Sequence, residues 1–189
     1  MSVWSTIARL RQRDPHLLAP AIMKAWDRGR VTCSMLQVNV ADAGAAPDYV
    51  AMDLLLMETL RVQELQDIYL QQGTTKAADV MRSHHAYGTA LDVVHREFYW
   101  FTNKASIARW PDKRMRQRAS IRWFRAVANI LTCDGTLAWG GLWKSFPDSP
   151  HFQAAALPRT PSLLMRGLYD AAGGGEPGRR AVWEQYKLI

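Results

Sequence analysis

Ser83-His84-His85-Ala86-Tyr87-Gly88-Thr89-Ala90-Leu91-Asp92 is the stretch on which the reading of this chain turns. It has the form S-x-H-x-x-G-x-A-x-D. A histidine at the mouth of a turn and an aspartate on the following strand can point at one spot. Gly88 permits the turn and a close backbone approach. Ala90 lies two residues before Asp92, on the same face of a strand, and leaves room beside it. An imidazole and a carboxylate form a normal partial set for catalytic zinc, which takes three protein ligands and keeps a fourth position open. His84, on an extended chain, faces away from that spot. It is expected at the surface or behind the ligands. His16 and His95 read as structural or surface residues.

The third ligand has to come from farther along. Trp139-Gly140-Gly141-Leu142-Trp143 is followed by Asp148-Ser149-Pro150-His151-Phe152. His151 ends a loop and enters an apolar stretch, so it is the candidate. Asp148 precedes it by three residues, and Pro150 bends the chain between them. A carboxylate brought near the metal without binding it has the chemistry of a general base.

These motifs, in this order, resemble the zinc D-Ala-D-Ala carboxypeptidase and L-alanyl-D-glutamate endopeptidase family, which includes many phage endolysins. The resemblance covers roughly residues 55 to 153. It implies that His85, Asp92 and His151 bind Zn2+ and that Asp148 is the base. Leu60-Arg61-Val62-Gln63-Glu64-Leu65-Gln66 resembles the family's arginine followed by a Gln-rich helix. Arg61 thereby takes the role of donor to the substrate carbonyl or carboxylate, and Ser83 that of a residue orienting substrate or the metal surroundings. The implied fold is Hedgehog/DD-peptidase-like: α+β, a small antiparallel sheet flanked by helices. The implied substrate is a peptidoglycan stem peptide, cut by an L-alanyl-D-glutamate endopeptidase. A D,D-carboxypeptidase is the alternative within the family. A non-catalytic basic protein that binds wall polymer or nucleic acid is the alternative outside it.

Around these motifs, periodicity predicts helices over residues 20–30, 62–72 and 111–131, with Gly29 and Gly73 as stops and Pro111 in a first turn. Residues 32–40, 89–94, 137–139 and 151–153 read as strands, and 42–48 as a loop. The apolar run 53–60 fits a buried strand or a helix. Thr160-Pro161 reads as a helix start, Gly173-Gly174-Gly175 as a stop and hinge, and 179–189 as a short tail. The expected division is a peptidase domain over 1–153 and a helical C-terminal extension over 154–189.

Composition sets the outer bounds. The 189 residues are 48% hydrophobic and 22% charged, enough for a core without disulfide staples. Cys33 and Cys133 have no partner in a C-x-x-C pattern and read as reduced, semi-buried thiols. Arg9, Arg11 and Arg13 interrupt any early apolar run, so neither a secretory signal nor a membrane span is expected. The expected course is synthesis in a host cytoplasm, then release to act in the periplasm or wall as a monomer. The net charge of +7 is concentrated between Lys104 and Arg125, where eight basic residues meet one acid. That segment suggests an anionic wall or outer-membrane polymer as partner. No nucleic-acid motif accompanies the charge, so nucleic acid is not expected.

Overall fold

A computed structural model describes residues 3–75, 77–145 and 147–189. It is α+β, as the sequence suggests. Among the described residues, the α-helices are α1 (Val3–Leu10), α2 (Pro20–Ser34), α3 (Gln63–Gln71), α4 (Lys104–Arg109), α5 (Lys113–Leu131), α6 (Leu163–Ala171) and α7 (Gly175–Gln185). Strands β1 (Gln37–Asn39) and β2 (Tyr49–Ala51) form an antiparallel hairpin with Val38 opposite Val50. Strands β3 (Leu54–Glu58), β4 (Ala90–His95), β5 (Leu137–Trp139) and β6 (His151–Ala154) form a sheet in the order β3-β4-β6-β5. β6 runs antiparallel to β4, since Val93 N–H donates to the Pro150 carbonyl and Ala154 N–H to the Thr89 carbonyl. Among the described residues, no helix is long and apolar enough to cross a membrane.

The chain divides into two compact units, Met1–Met23, Met57–Asp92 and Gln153–Ile189 in one, Lys24–Leu56 and Val93–Phe152 in the other. In the first, Ile7 of α1 packs on Leu65 and Tyr69 of α3. Gly73 follows α3 with φ +67°, the left-handed stop its position predicts. The C-terminal glycines do more than stop a helix. Gly173, Gly174 and Gly175 all have positive φ and turn α6 directly into α7. Residues 179–185 of the expected tail therefore belong to a helix. Pro177 falls in the first turn of α7, where the backbone N–H groups need no helical acceptor. Trp183 of α7 is buried, and its indole N–H donates to the Tyr87 carbonyl at 2.7 Å.

The second unit is built on α5. Ala119, Trp123, Phe124, Val127, Ala128 and Leu131 form its buried stripe. Asp112 caps it through Met115 N–H at 2.8 Å, which leaves Pro111 one residue ahead of the cap rather than in the first turn. α2 continues past Gly29 to Ser34, contrary to the expected stop. A Cβ on Gly29 would stand 2.2 Å from Leu131 Cδ2, so this glycine serves a close crossing with α5. Residues 32–34 consequently belong to α2, and the strand expected over 32–40 shrinks to 37–39. Cys33 is buried and its thiol is pushed up to about 11 by desolvation, while Cys133 is exposed rather than half-buried.

Much of the basic segment is paired within this unit. Arg109 binds Asp48 at 2.6 Å, and Arg118 and Arg122 both bind Asp42. Arg116 donates to the carbonyls of Trp110 and Pro111. His95 is buried among Phe98, Phe101 and Trp123. Its Nδ1 accepts from the N–H groups of Glu97 and Phe98, so its Nε2 carries the proton given to the Ala51 carbonyl.

Two outcomes follow. Trp183→Ala should lower stability by about 3–5 kcal/mol in urea unfolding; a change within error would mean the indole does not hold α7 in place. Burial holds the His95 imidazole below its ordinary value of 6.5. Its contribution is then complete above the unfolded value and is lost as pH falls through the lower folded one. Unfolding free energy should decline below about pH 6.5, with a shallower decline in His95→Asn. Identical slopes in the two proteins would exclude that origin.

Candidate metal centre

His85 lies on a short 3-10 turn, His84–Tyr87, at the entrance to β4. The turn is capped at both ends. Ser83 Oγ accepts from His85 N–H at 3.4 Å, and Gly88 closes the turn at φ +64°. A Cβ on Gly88 would stand 2.3 Å from the Leu17 carbonyl oxygen, so both the conformation and the space demand glycine. Two residues of β4 later, Asp92 brings its Oδ1 to 3.2 Å from His85 Nε2. The serine of the motif thus fixes the backbone that carries His85.

His151 begins β6, the neighbour of β4 in the sheet. One ligand atom each from His85, Asp92 and His151 lies within 4.8 Å of the others. Donor atoms on one tetrahedral zinc stand roughly 3.3 Å apart, given bonds of about 2.0–2.2 Å. The 3.2 Å pair fits that spacing, and two buried imidazoles with one half-exposed carboxylate fit the donor set of a catalytic site.

The segment 139–151 explains the tryptophan-glycine motif. Trp139 Nε1 donates to the Ser149 carbonyl at 2.7 Å. Its ring lies over Gly141, where a Cβ would come within 2.2 Å of it. Gly140 accepts from Asp148 N–H at 3.0 Å, and a Cβ there would meet the Asp148 carbonyl oxygen at 2.8 Å and His151 Cβ at 3.2 Å. His151 N–H returns to the Asp148 carbonyl at 3.2 Å, and the Trp143 ring stands 5.1 Å from the His151 ring. Asp148 is half-buried in the turn leading into His151.

Arg61 follows β3 and is nearly buried. Its Nε donates to Glu58 Oε1, its Nη1 to Gln66 Oε1 at 3.2 Å, and its Nη2 is 3.8 Å from Asp92 Oδ2. Its guanidinium carbon lies 4.9 Å above the Tyr69 ring. Burial pulls the guanidinium down, but Glu58 and Asp92 outweigh it and hold Arg61 above its ordinary value. The side chain is fixed before any ligand arrives.

His84 is not at the surface. It is 3% exposed, with Nδ1 3.0 Å from Thr89 Oγ1 and Nε2 donating to the Pro158 carbonyl at 2.7 Å. On a 3-10 turn adjacent side chains do not alternate as they do on a strand, which lets His84 and His85 both be buried. Glu58, Gln66 and Tyr69 escaped the sequence reading. Glu58 was visible as an acid closing the apolar run Leu54–Met57, and a charge in such a run is a candidate for burial with a partner.

Residues 76–154 match the family model described as D-alanyl-D-alanine carboxypeptidase. The chain is 32% identical over 102 residues to the L-alanyl-D-glutamate peptidase of Listeria phage A118, a match covering 54% of this chain and 30% of that protein. It is 26% identical over 125 residues to the peptidoglycan L-alanyl-D-glutamate endopeptidase CwlK of Bacillus subtilis, covering 63% and 71%. The crystal structure of the Serratia marcescens L-Ala D-Glu endopeptidase ChiX aligns at 22% identity with a TM-score of 0.41, over 74% of this chain and 82% of that one. The chain spans less than a third of the length of the phage relative.

The close approach at Gly140 gives a test of the His151 segment. Gly140→Ala should cost about 1–3 kcal/mol through forced backbone displacement, and should weaken divalent-metal uptake measured by calorimetry. Unaltered uptake would show that His151 tolerates the shift.

Proposed function

We propose that this chain belongs to the family of D-alanyl-D-alanine carboxypeptidases and L-alanyl-D-glutamate endopeptidases that it resembles, and that it hydrolyses a stem-peptide bond of peptidoglycan at a metal centre. The observation that carries the reading is the convergence of His85, Asp92 and His151. These three would hold the ion, and zinc is the metal their chemistry suits best. When bound, the ion supplies Lewis-acid activation of water and of the scissile carbonyl.

The rest of the chemistry falls to the chain. Asp148 takes the proton of the attacking water and returns it to the departing amine. Arg61 faces the charge that develops on the carbonyl oxygen, a contribution of several kcal/mol for a fixed cationic donor. Being clamped already, it spends little on reorganisation at the moment of attack. The names of two relatives favour the L-alanyl-D-glutamate bond. The description of the family model favours the terminal D-alanyl-D-alanine bond as a second reading. The place of action would be the periplasm or wall. The basic side chains of α4 and α5 left outside the Asp42 and Asp48 pairs would meet anionic polymer there.

Purified sacculi test the proposal. Incubation should release peptide fragments, a chelator should stop the release, and added zinc should restore it. Fragment masses distinguish the two bonds. Asp148→Ala should lower turnover by about 10²–10⁴-fold while metal remains bound. Undiminished cleavage after thorough metal removal would refute hydrolysis at this centre. Equal wall binding by Asp148→Ala and the unaltered protein, with cleavage by neither, would favour a non-catalytic basic protein.

A further inference from the structure

The acid at the end of β3 stands at the junction of the groups that the proposed reaction needs. Glu58 carries a carboxylate only 2% exposed. Its Oε1 accepts from Arg61 Nε and lies 3.9 Å from His85 Nδ1. Its Oε2 accepts from the Tyr69 hydroxyl at 2.9 Å, and that hydroxyl accepts in turn from Arg11 Nε at 2.8 Å. Burial, with the Glu58 charge adding to it, pushes the Tyr69 phenol upward, which keeps it a donor. Arg61 also donates its backbone N–H to the His85 carbonyl at 3.4 Å. The cation and the first ligand are therefore tied together through backbone and through one carboxylate.

We propose that Glu58 is a positioning residue, whose buried carboxylate sets both the aim of Arg61 and the orientation of the His85 ring. The inference rests on the metal-centre reading above. An imidazole that offers Nε2 to a metal is oriented by what its Nδ1 faces, and at 3.9 Å the Glu58 carboxylate acts on the ring through its charge rather than through a hydrogen bond. Here Nε2 is the nitrogen beside Asp92 and Nδ1 the one beside Glu58. The charge matters as well as the shape. Arg61 Nε and Tyr69 Oη are both donors aimed at Glu58, so the site requires two acceptors. A glutamine offers one acceptor and turns N–H groups toward another donor. The guanidinium would then keep only the Asp92 carboxylate, 3.8 Å away, as a charged neighbour and would leave its present place.

The test uses Glu58→Gln, with zinc affinity measured by competition against a chromophoric chelator and with kcat and KM measured on sacculus-derived peptides. Zinc affinity should fall about 10–100-fold, and kcat should fall by a similar factor with KM nearly unchanged. Glu58→Gln with affinity and kcat equal to those of the unaltered protein overturns the inference and leaves the metal-centre reading standing. An unaltered protein that takes up no zinc overturns both. Should Glu58→Gln fail to fold, Tyr69→Phe decides. It removes one donor to Glu58 and leaves every charge in place. Weaker zinc binding in Tyr69→Phe supports the inference, and unchanged binding and turnover overturn it.

Discussion

His85 Nε2 and Asp92 Oδ1 sit 3.2 Å apart, two electron-pair donors held closer than their chemistry alone would bring them without a proton or a cation between. They are separated by seven positions in the chain. The 3-10 turn shortens that path, Ser83 fixes where it begins, and Gly88 fixes where it ends. The turn itself is anchored from behind, through the Trp183 bond to the Tyr87 carbonyl and the Ala19 bond to the Gly88 carbonyl. Distant segments of the first unit thus act on the geometry of two atoms.

Charge is treated in two ways along the chain. Asp42 and Asp48 neutralise arginines of α4 and α5 at partly exposed positions, where water and salt screen each pair. Glu58 and Arg61 are withdrawn from water, and breaking a pair of that kind costs about 3–5 kcal/mol because it strands a buried charge. The first arrangement leaves the surface tunable. The second gives a rigid donor beside the candidate metal ligands, the arrangement that the role proposed for Arg61 would use.

The elements legible from sequence are those where a strong local signal agrees with the final packing. β5 lies at 137–139 as read, β4 is displaced by one residue, and the stripe Phe124, Val127, Ala128, Leu131 does face the interior of its unit. Punctuation residues are harder to read, because what they serve is set by the elements around them. Gly29 serves a helix crossing, and Gly173 to Gly175 serve a turn between two helices. Of the two places open to His84, at the surface or behind the ligands, its burial excludes the first. In the candidate centre, the spacing of His85 and Asp92 could be read locally. The apolar run before Glu58 signals its burial, but its partners Tyr69 and His85 come from other segments and carry no local signal.

The two cysteines differ in a way that has a practical use. Cys33 is enclosed, and its thiol ionises only near 11, whereas Cys133 lies exposed in the turn after α5. Thiolates, not thiols, attack electrophiles. A maleimide dye or spin label at neutral pH would therefore attach at one place, the far end of α5, without any engineered site. The molecule comes ready for single-label spectroscopy.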